Sequence, residues 1–181
     1  MRPSPRFVPF LVSLLLAAPL AAQKQTRDTL TPAQAEKIAE AGIDPPQRVE
    51  LYTKFLDEHA DAIKNLAKRA PSPARGQHMS DDLEDLANLM DELSSNLDMY
   101  SDRKADIRKA LKPLNESIQH WQAMLHGLPS DDPSFDLALT DALDSCSDLA
   151  DQTKQLIQDQ DAYFKEHKDQ KGQQRVLPAP Q

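Results

Sequence analysis

Cysteine is nearly absent from this 181-residue sequence, and glycine and aromatic residues are scarce. Cys146 is the only cysteine, so the chain cannot form an internal disulfide or attach haem through a C-x-x-C-H motif. Four glycines argue against a loop-rich or all-β fold, and 5% aromatic residues argue against a thick globular core. A bundle of amphipathic helices buries only a narrow stripe on each helix, so this composition favours one.

Familiar catalytic and metal-binding motifs are missing as well. The sequence contains no HExxH, HxxxH or Glu-x-x-His arrangement, no GxSxG elbow and no phosphate-binding loop. Glu116 and His120 stand four residues apart, but two ligands make a weak metal site, and a solvated ion pair is the simpler interpretation. We therefore predict a protein that is not an enzyme, with no catalytic residues, no cofactor and no metal site.

Acidic residues outnumber basic ones, and the formal net charge is -8. Removal of residues 1–22, which hold two basic and no acidic residues, leaves 19 basic and 29 acidic residues, or -10. Such a surface repels nucleic acid and anionic membrane, so we expect cationic or neutral protein partners, although solubility alone also explains the charge. One stretch carries acids and no bases: Asp81, Asp82, Glu84, Asp85, Asp91, Glu92, Asp98 and Asp102. This stretch lacks the ligand spacing of a calcium-binding loop. It is therefore interpreted either as a solvated helix face or as a surface that binds cations.

The N-terminus has the three-part layout of a secretory signal peptide. Arg2 and Arg6 supply positive charge, residues 7–16 are apolar, and small residues lead to a cleavage site after Ala22. The apolar stretch is too short to span a membrane comfortably. The alanine-rich style is typical of bacteria and predicts a periplasmic or secreted protein with no membrane span after processing.

The rest of the chain divides by helix signals. Thr31, Pro32 and Gln34 form a capping box with proline at the first helical position, and Gly42 ends this short helix. Asp44 and Pro45 then start the next helix. The predicted organisation is a signal peptide (1–22), a short N-terminal helix (23–43), a helical bundle (44–168) and a polar, disordered tail (169–181).

The strongest pattern is an apolar stripe with alternating spacings of three and four residues. Its members are Leu83, Leu86, Met90, Leu93, Leu97, Tyr100, Lys104, Ile107, Leu111, Leu114, Ile118, Trp121 and Leu125, of which only Lys104 is off-type. We predict one helix of roughly 45 residues, bent at Pro113. The alternative is two helices, the second capped by Ser101 and Asp102.

Breaks at residues 71–76 and near Gly127–Pro129 fold the chain back on itself. The predicted fold is all-α: an elongated antiparallel three- to four-helix bundle with coiled-coil-like packing. We expect the basic residues of the middle helix to face the acidic residues of the last helix. These are Arg103, Lys104, Arg108, Lys109 and Lys112 against Asp141, Asp144, Asp148, Asp151 and Asp159.

A few polar residues fall on the predicted apolar seams. Tyr100, Lys104, Thr153 and Gln160 fix the register of the bundle in one interpretation and line a small ligand cavity in the other. Trp121 lies on the seam and is expected in the core. Cys146 is either a buried small apolar residue or pairs with a second chain, and its seam position favours burial.

One short motif resembles a known family. Leu30, Thr31 and Gln34 form an L-T-x-x-Q element similar to that of the Spy/CpxP-type periplasmic helical chaperones, where it occurs twice and here once. The primary functional prediction is a non-enzymatic interaction or scaffold module of the bacterial envelope, with protein partners and a homodimer left open. The resemblance implies the alternative, a periplasmic Spy/CpxP-like helical chaperone or metal-stress protein.

Overall fold

Helices dominate the fold. The computed structural model describes residues 29–129 and 132–167 and places 82% of them in helices and none in strands. The five helices are α1 (Pro32–Glu40), α2 (Pro45–Ala67), α3 (Pro73–Asp102), α4 (Arg108–His126) and α5 (Asp136–Glu166). The all-α prediction is confirmed. The predicted signal peptide (1–22) and tail (169–181) lie outside the described residues. Across the described part of the chain, every helix is too short or too polar to cross a membrane.

The first two helices begin as their sequences predict. The Gln34 backbone N–H donates to Thr31 Oγ1 over 3.3 Å, and the Thr31 N–H donates to Gln34 Oε1 over 2.9 Å, which completes the capping box. Gly42 adopts a φ of 57°, the left-handed conformation that ends α1. Asp44 caps α2 ahead of Pro45. The local signals identified in the sequence therefore mark the starts of both helices.

The four long helices form two antiparallel hairpins. Arg48 of α2 bonds to Tyr100 of α3, so the start of one helix meets the end of the other. Cys146 of α5 lies against Ile118 of α4, and Gln160 reaches Ile107 just before α4. We call α2–α3 the first hairpin and α4–α5 the second hairpin. Each of the two hairpins is antiparallel.

The hairpins pack face to face, with α3 along α5 and α2 along α4. Gly76 at the start of α3 lies against Ser134 just before α5, and Ser94 further along α3 bonds to Gln152 further along α5, so these two helices run parallel. Because each hairpin is antiparallel, α2 and α4 also run parallel. Within the described ranges α3 does not pack against α4, so these sequence neighbours lie on a diagonal of the bundle.

The predicted apolar stripe forms the centre of the core. Its apolar residues from Leu83 to Leu125 are at most 1% exposed, apart from Tyr100 at 5%. Trp121, Tyr52 and Phe55 are the largest fully buried side chains. Burying one such side chain stabilises the fold by about 1.5–3 kcal/mol, so the stripe supplies much of the driving force.

The prediction of one continuous helix is wrong, because the chain breaks between Asp102 and Arg108. The Ala105 N–H donates to the Tyr100 carbonyl over 2.9 Å and the Lys104 N–H to the Ser101 carbonyl over 3.0 Å, which is a Schellman motif. Lys104 takes the left-handed position at φ 55°, usually occupied by glycine. The break lets α4 fold back over α2 and α5, which buries more apolar surface than a straight helix can.

The other predicted breaks shift by a few residues. Ser72 caps α3, which begins at Pro73, so Gly76 lies inside the helix rather than in the predicted break. A Cβ on Gly76 would lie 2.2 Å from Ser134 Oγ and 2.6 Å from Ser134 Cβ. Gly76 therefore allows the start of α3 to approach the turn before α5. That turn begins at Asp132, whose carboxylate accepts from the Ser134 N–H and hydroxyl, and α5 follows four residues later.

Replacing Gly76 by alanine tests this close approach. In an unobstructed helix the change stabilises a protein by about 1 kcal/mol, because alanine has the higher helix propensity. Here we expect G76A to lower the free energy of unfolding by about 1–3 kcal/mol, since the methyl group overlaps Ser134. Urea denaturation measures the difference. Adding S134G should restore most of the loss, and a G76A chain as stable as the wild type would contradict the contact.

Candidate functional site

A concave surface between the parallel helices α3 and α5 forms a groove with a volume of about 320 Å³. We call it the acidic groove. Its floor includes Ala87, which is 7% exposed, and Ser145, whose short side chains leave space between the helices. Five of its eight lining residues are carboxylates: Glu84 and Asp91 from α3, and Asp141, Asp144 and Asp148 from α5. Asn88 completes the lining.

The charges around the acidic groove differ from the predicted charge pairing. Asp141, Asp144 and Asp148 were expected to face the basic residues of the middle helix, but they face the acidic side of α3 instead. The break after Asp102 causes the difference, because it brings the first half of the apolar stripe, not only the second, against α5. Like charges on adjacent helices repel by tenths of a kcal/mol each at exposed positions, far less than the apolar burial beneath them.

A glutamine joins α3 and α5 one helical turn beyond the acidic groove. Gln152 Nε2 donates to Asp98 Oδ1 over 2.6 Å and to the Ser94 carbonyl over 3.1 Å. The Ser94 hydroxyl donates to Gln152 Oε1 over 2.9 Å. The sequence predictions missed this contact. Its signal was present, since Gln152 follows Asp141, Asp144 and Asp148 at helical spacing on one face of α5.

The acidic groove presents a negatively charged surface. Over residues 29–129 and 132–167, no three histidine, cysteine or acidic side chains are arranged to hold a metal ion. Glu116 and His120 both lie exposed on α4. The carboxylates line two helical walls instead of converging on one point, an arrangement suited to several separate positive charges on an extended partner.

The predicted polar seam divides into separate roles. The Gln160 side chain accepts from the Ile107 N–H over 3.1 Å and donates to the Ala105 carbonyl over 2.8 Å. Arg48 Nε donates to the Tyr100 hydroxyl over 2.9 Å and Arg48 also donates to the Ile38 carbonyl over 3.0 Å. These contacts use the polar groups to hold the α3–α4 linker and the end of α1, as the register interpretation requires. None of the four seam residues lines the acidic groove.

Lys104 and Thr153 complete the polar seam. Lys104 leaves the core because it sits in the linker, where its ammonium lies 5.6 Å from the ring centre of Tyr163. Thr153 is fully buried, and its hydroxyl has no hydrogen-bond partner among the described residues. An unpaired buried hydroxyl costs about 1–3 kcal/mol, so Thr153 weakens the core slightly.

The L-T-x-x-Q element is a helix cap that also joins α1 to α2. Besides completing the capping box, Gln34 Nε2 donates to Glu58 over 3.2 Å. Leu30 packs against the core from the start of the element. In this fold the motif therefore caps α1 and attaches it to α2. The same residues carry the resemblance to the chaperone element.

Comparisons with known proteins add no relatives. No protein family matches the chain, and neither the curated proteins nor the solved structures include a similar one.

Cys146 and Trp121 lie in the core, as predicted. Trp121 is 1% exposed and its indole N–H donates to Asp57 Oδ1 over 2.7 Å. Cys146 is fully buried with its Sγ 4.0 Å from the Ile118 carbonyl oxygen, and burial raises the pKa of its thiol to about 11. The thiol is therefore protonated and shielded in the folded chain.

Alkylation tests the state of Cys146. At pH 8 we expect maleimide to leave the folded protein unmodified and to add one label in denaturant, because only an exposed thiolate reacts. Intact-mass spectrometry counts the labels. An N88C variant, with its new thiol in the exposed lining of the acidic groove, is the matched control and should gain one label when folded. Labelling of folded wild type as fast as the control would contradict the burial.

Proposed function

We propose that this chain is a non-enzymatic exported helical protein that acts as an interaction or scaffold module of the bacterial envelope. In this proposal the acidic groove is the surface that binds its partner. The observation that carries the proposal is the groove itself: five carboxylates and no basic side chain line a concave surface between two rigid helices. Rigid helices hold the charges in fixed positions, which lowers the entropy lost on binding.

The shape and charge of the acidic groove define the partner. From Glu84 to Asp91 and from Asp141 to Asp148 the walls extend for two helical turns, roughly 10 Å. A protein segment with several lysine or arginine side chains fits this length and charge. Nucleic acid and anionic lipid carry the wrong charge. We therefore propose a basic protein segment as the partner.

Export is part of the proposal and predicts a specific processed product. Cleavage after Ala22 gives a mature chain that begins at Gln23 and carries a net charge of -10. We expect intact-mass measurement of the protein from the periplasm or medium of a bacterial host to give this product, within a residue or two. Uncleaved protein confined to the cytoplasm would contradict the predicted compartment.

Charge reversal tests the acidic groove as the binding surface. The probe is a fluorescent lysine-rich helical peptide, and the variant is D91K/D144K, which changes one carboxylate on each wall. We expect this variant to weaken peptide binding by about tenfold or more, because it replaces attraction by repulsion at both walls. Fluorescence anisotropy at physiological ionic strength measures the affinity, since salt then screens charges beyond about 8 Å.

The matched control is D61K/E116K, which makes the same change in net charge on exposed positions of α2 and α4. These helices form the opposite side of the bundle from the acidic groove. We expect the control to bind the peptide within about twofold of the wild type. An equal loss in both variants would show that only net charge matters, and would overturn the groove as a site.

The chaperone alternative predicts a different behaviour. A Spy/CpxP-like protein suppresses aggregation of an unfolded client at stoichiometric ratio, which a scaffold has no need to do. Light scattering of a reduced, aggregating client protein measures this suppression. If the wild type and D91K/D144K suppress aggregation equally well, the chaperone function replaces the scaffold function and does not involve the acidic groove.

A further inference from the structure

The two hairpins are joined by one short covalent link. Contacts within the first hairpin are between α2 and α3, and contacts within the second are between α4 and α5. Among the described helices, the hairpins meet through α3 against α5 and α2 against α4. The chain passes from one hairpin to the other through residues 103–107, which we call the linker. Each hairpin is therefore a unit that a second copy of the chain can supply.

The linker is bent against its own sequence preference. It contains no glycine or proline, the residues that usually end helices. Lys104 holds a φ of 55°, the left-handed conformation, which is unfavourable for a residue that has a Cβ atom. The apolar stripe also continues through the linker without a change of register, from Tyr100 to Ile107. A straight helix across the linker thus satisfies local preferences better than the bend does.

Contacts with α5 hold the bend in place. Gln160, 5% exposed, bonds to the Ala105 carbonyl and the Ile107 N–H, both of which a continuous helix would pair internally. At the start of α4 the side chain of Ile107 makes no cap, and Asp106 Oδ1 accepts from the Arg108 N–H over 3.4 Å. Gln160 of α5 therefore supports the bend through both of these backbone groups, whereas a straight helix would not need this support.

From these observations we infer that two copies of the chain exchange hairpins to form a dimer. In this dimer α3, the linker and α4 become one helix from 73 to 126, about 80 Å long. The first hairpin of each copy packs on the second hairpin of the other, which restores the α3–α5 and α2–α4 contacts between chains. Straightening of a strained hinge is a low-cost route to such exchange.

The exchange also changes which chains form the two walls of the acidic groove. In the closed monomer both walls come from one chain, whereas in the dimer α3 comes from one copy and α5 from the other. Each dimer then carries two acidic grooves at opposite ends of a long helix pair, a bivalent arrangement that raises avidity for a repeated partner. The exchange itself stands independently of the proposed function, because it follows from the linker alone.

Two linker variants and a control test the exchange by light scattering after size-exclusion chromatography, with each protein refolded over a range of concentrations. K104G relieves the left-handed strain and weakens the straight helix, so we expect the dimer association constant to fall by about 100-fold or more. Q160A removes the support for the bend, so we expect the dimer association constant to rise by about 10- to 100-fold.

The matched control is Q152A. Gln152 also bonds across the hairpin interface, to Ser94 and Asp98, but it lies away from the linker. Because exchange preserves that interface in both forms, Q152A should leave the association constant within about threefold of the wild type. Circular dichroism of each variant at the measured concentrations confirms that the helices remain formed.

Crosslinking distinguishes an exchanged dimer from two closed monomers that merely associate. Cysteines at positions 94 and 152, joined by a short bismaleimide, link α3 to α5. An exchanged dimer gives a covalent dimer on a denaturing gel, while associated closed monomers give internal crosslinks only. Cys146 does not interfere, since it is buried in the core. Internal crosslinks in the dimer fraction, or a dimer fraction that neither K104G nor Q160A changes, would overturn the exchange.

Discussion

Burial of one apolar stripe on every long helix is the constraint that the rest of this structure obeys. Leu83 to Leu125 supply two of the four stripes, and nearly all of their apolar side chains are shielded from water. A stripe that faces two neighbouring helices is covered more fully than one that faces a single helix. The four-helix arrangement gives every long helix two neighbours, and the positions of the linker and the acidic groove follow from it.

The linker shows how tertiary burial overrides local preference. Every residue from Ser101 to Ile107 is compatible with a continuous helix, and the left-handed Lys104 carries a cost of roughly 1–2 kcal/mol. Folding α4 back buries Trp121, Leu114 and Leu111 against two neighbours, and each such side chain is worth about 1.5–3 kcal/mol. Within one chain, the burial therefore outweighs the cost of the bend. A second chain offers the same burial without the bend, so the balance between the two forms depends on concentration.

The difference between local and long-range contacts explains which features the sequence could predict. Helix starts at Thr31 and Asp44 depend on a few adjacent residues, and the core positions depend on a regular spacing, so both were correct. The end of α3 depends on Gln160, 53 residues beyond Ile107, and on a left-handed lysine, neither of which has a local signal. Gly76 was predicted as a helix break because its actual neighbour, Ser134, lies 58 residues away in sequence. The acidic groove was missed for the same reason, since its walls became adjacent only through the unpredicted bend.

The acidic groove is best understood as a charged surface held together by the apolar core below it. Ala87 and Ser145 allow α3 and α5 to run side by side, and Leu86 and Leu149 behind them are fully buried. Exposed like charges cost only tenths of a kcal/mol per pair, so the core can maintain five carboxylates along one groove. The repulsion that remains is unfavourable until cations occupy the groove. In the proposed complex a basic partner would relieve this repulsion, so part of the binding free energy would come from repulsion already present in the free protein.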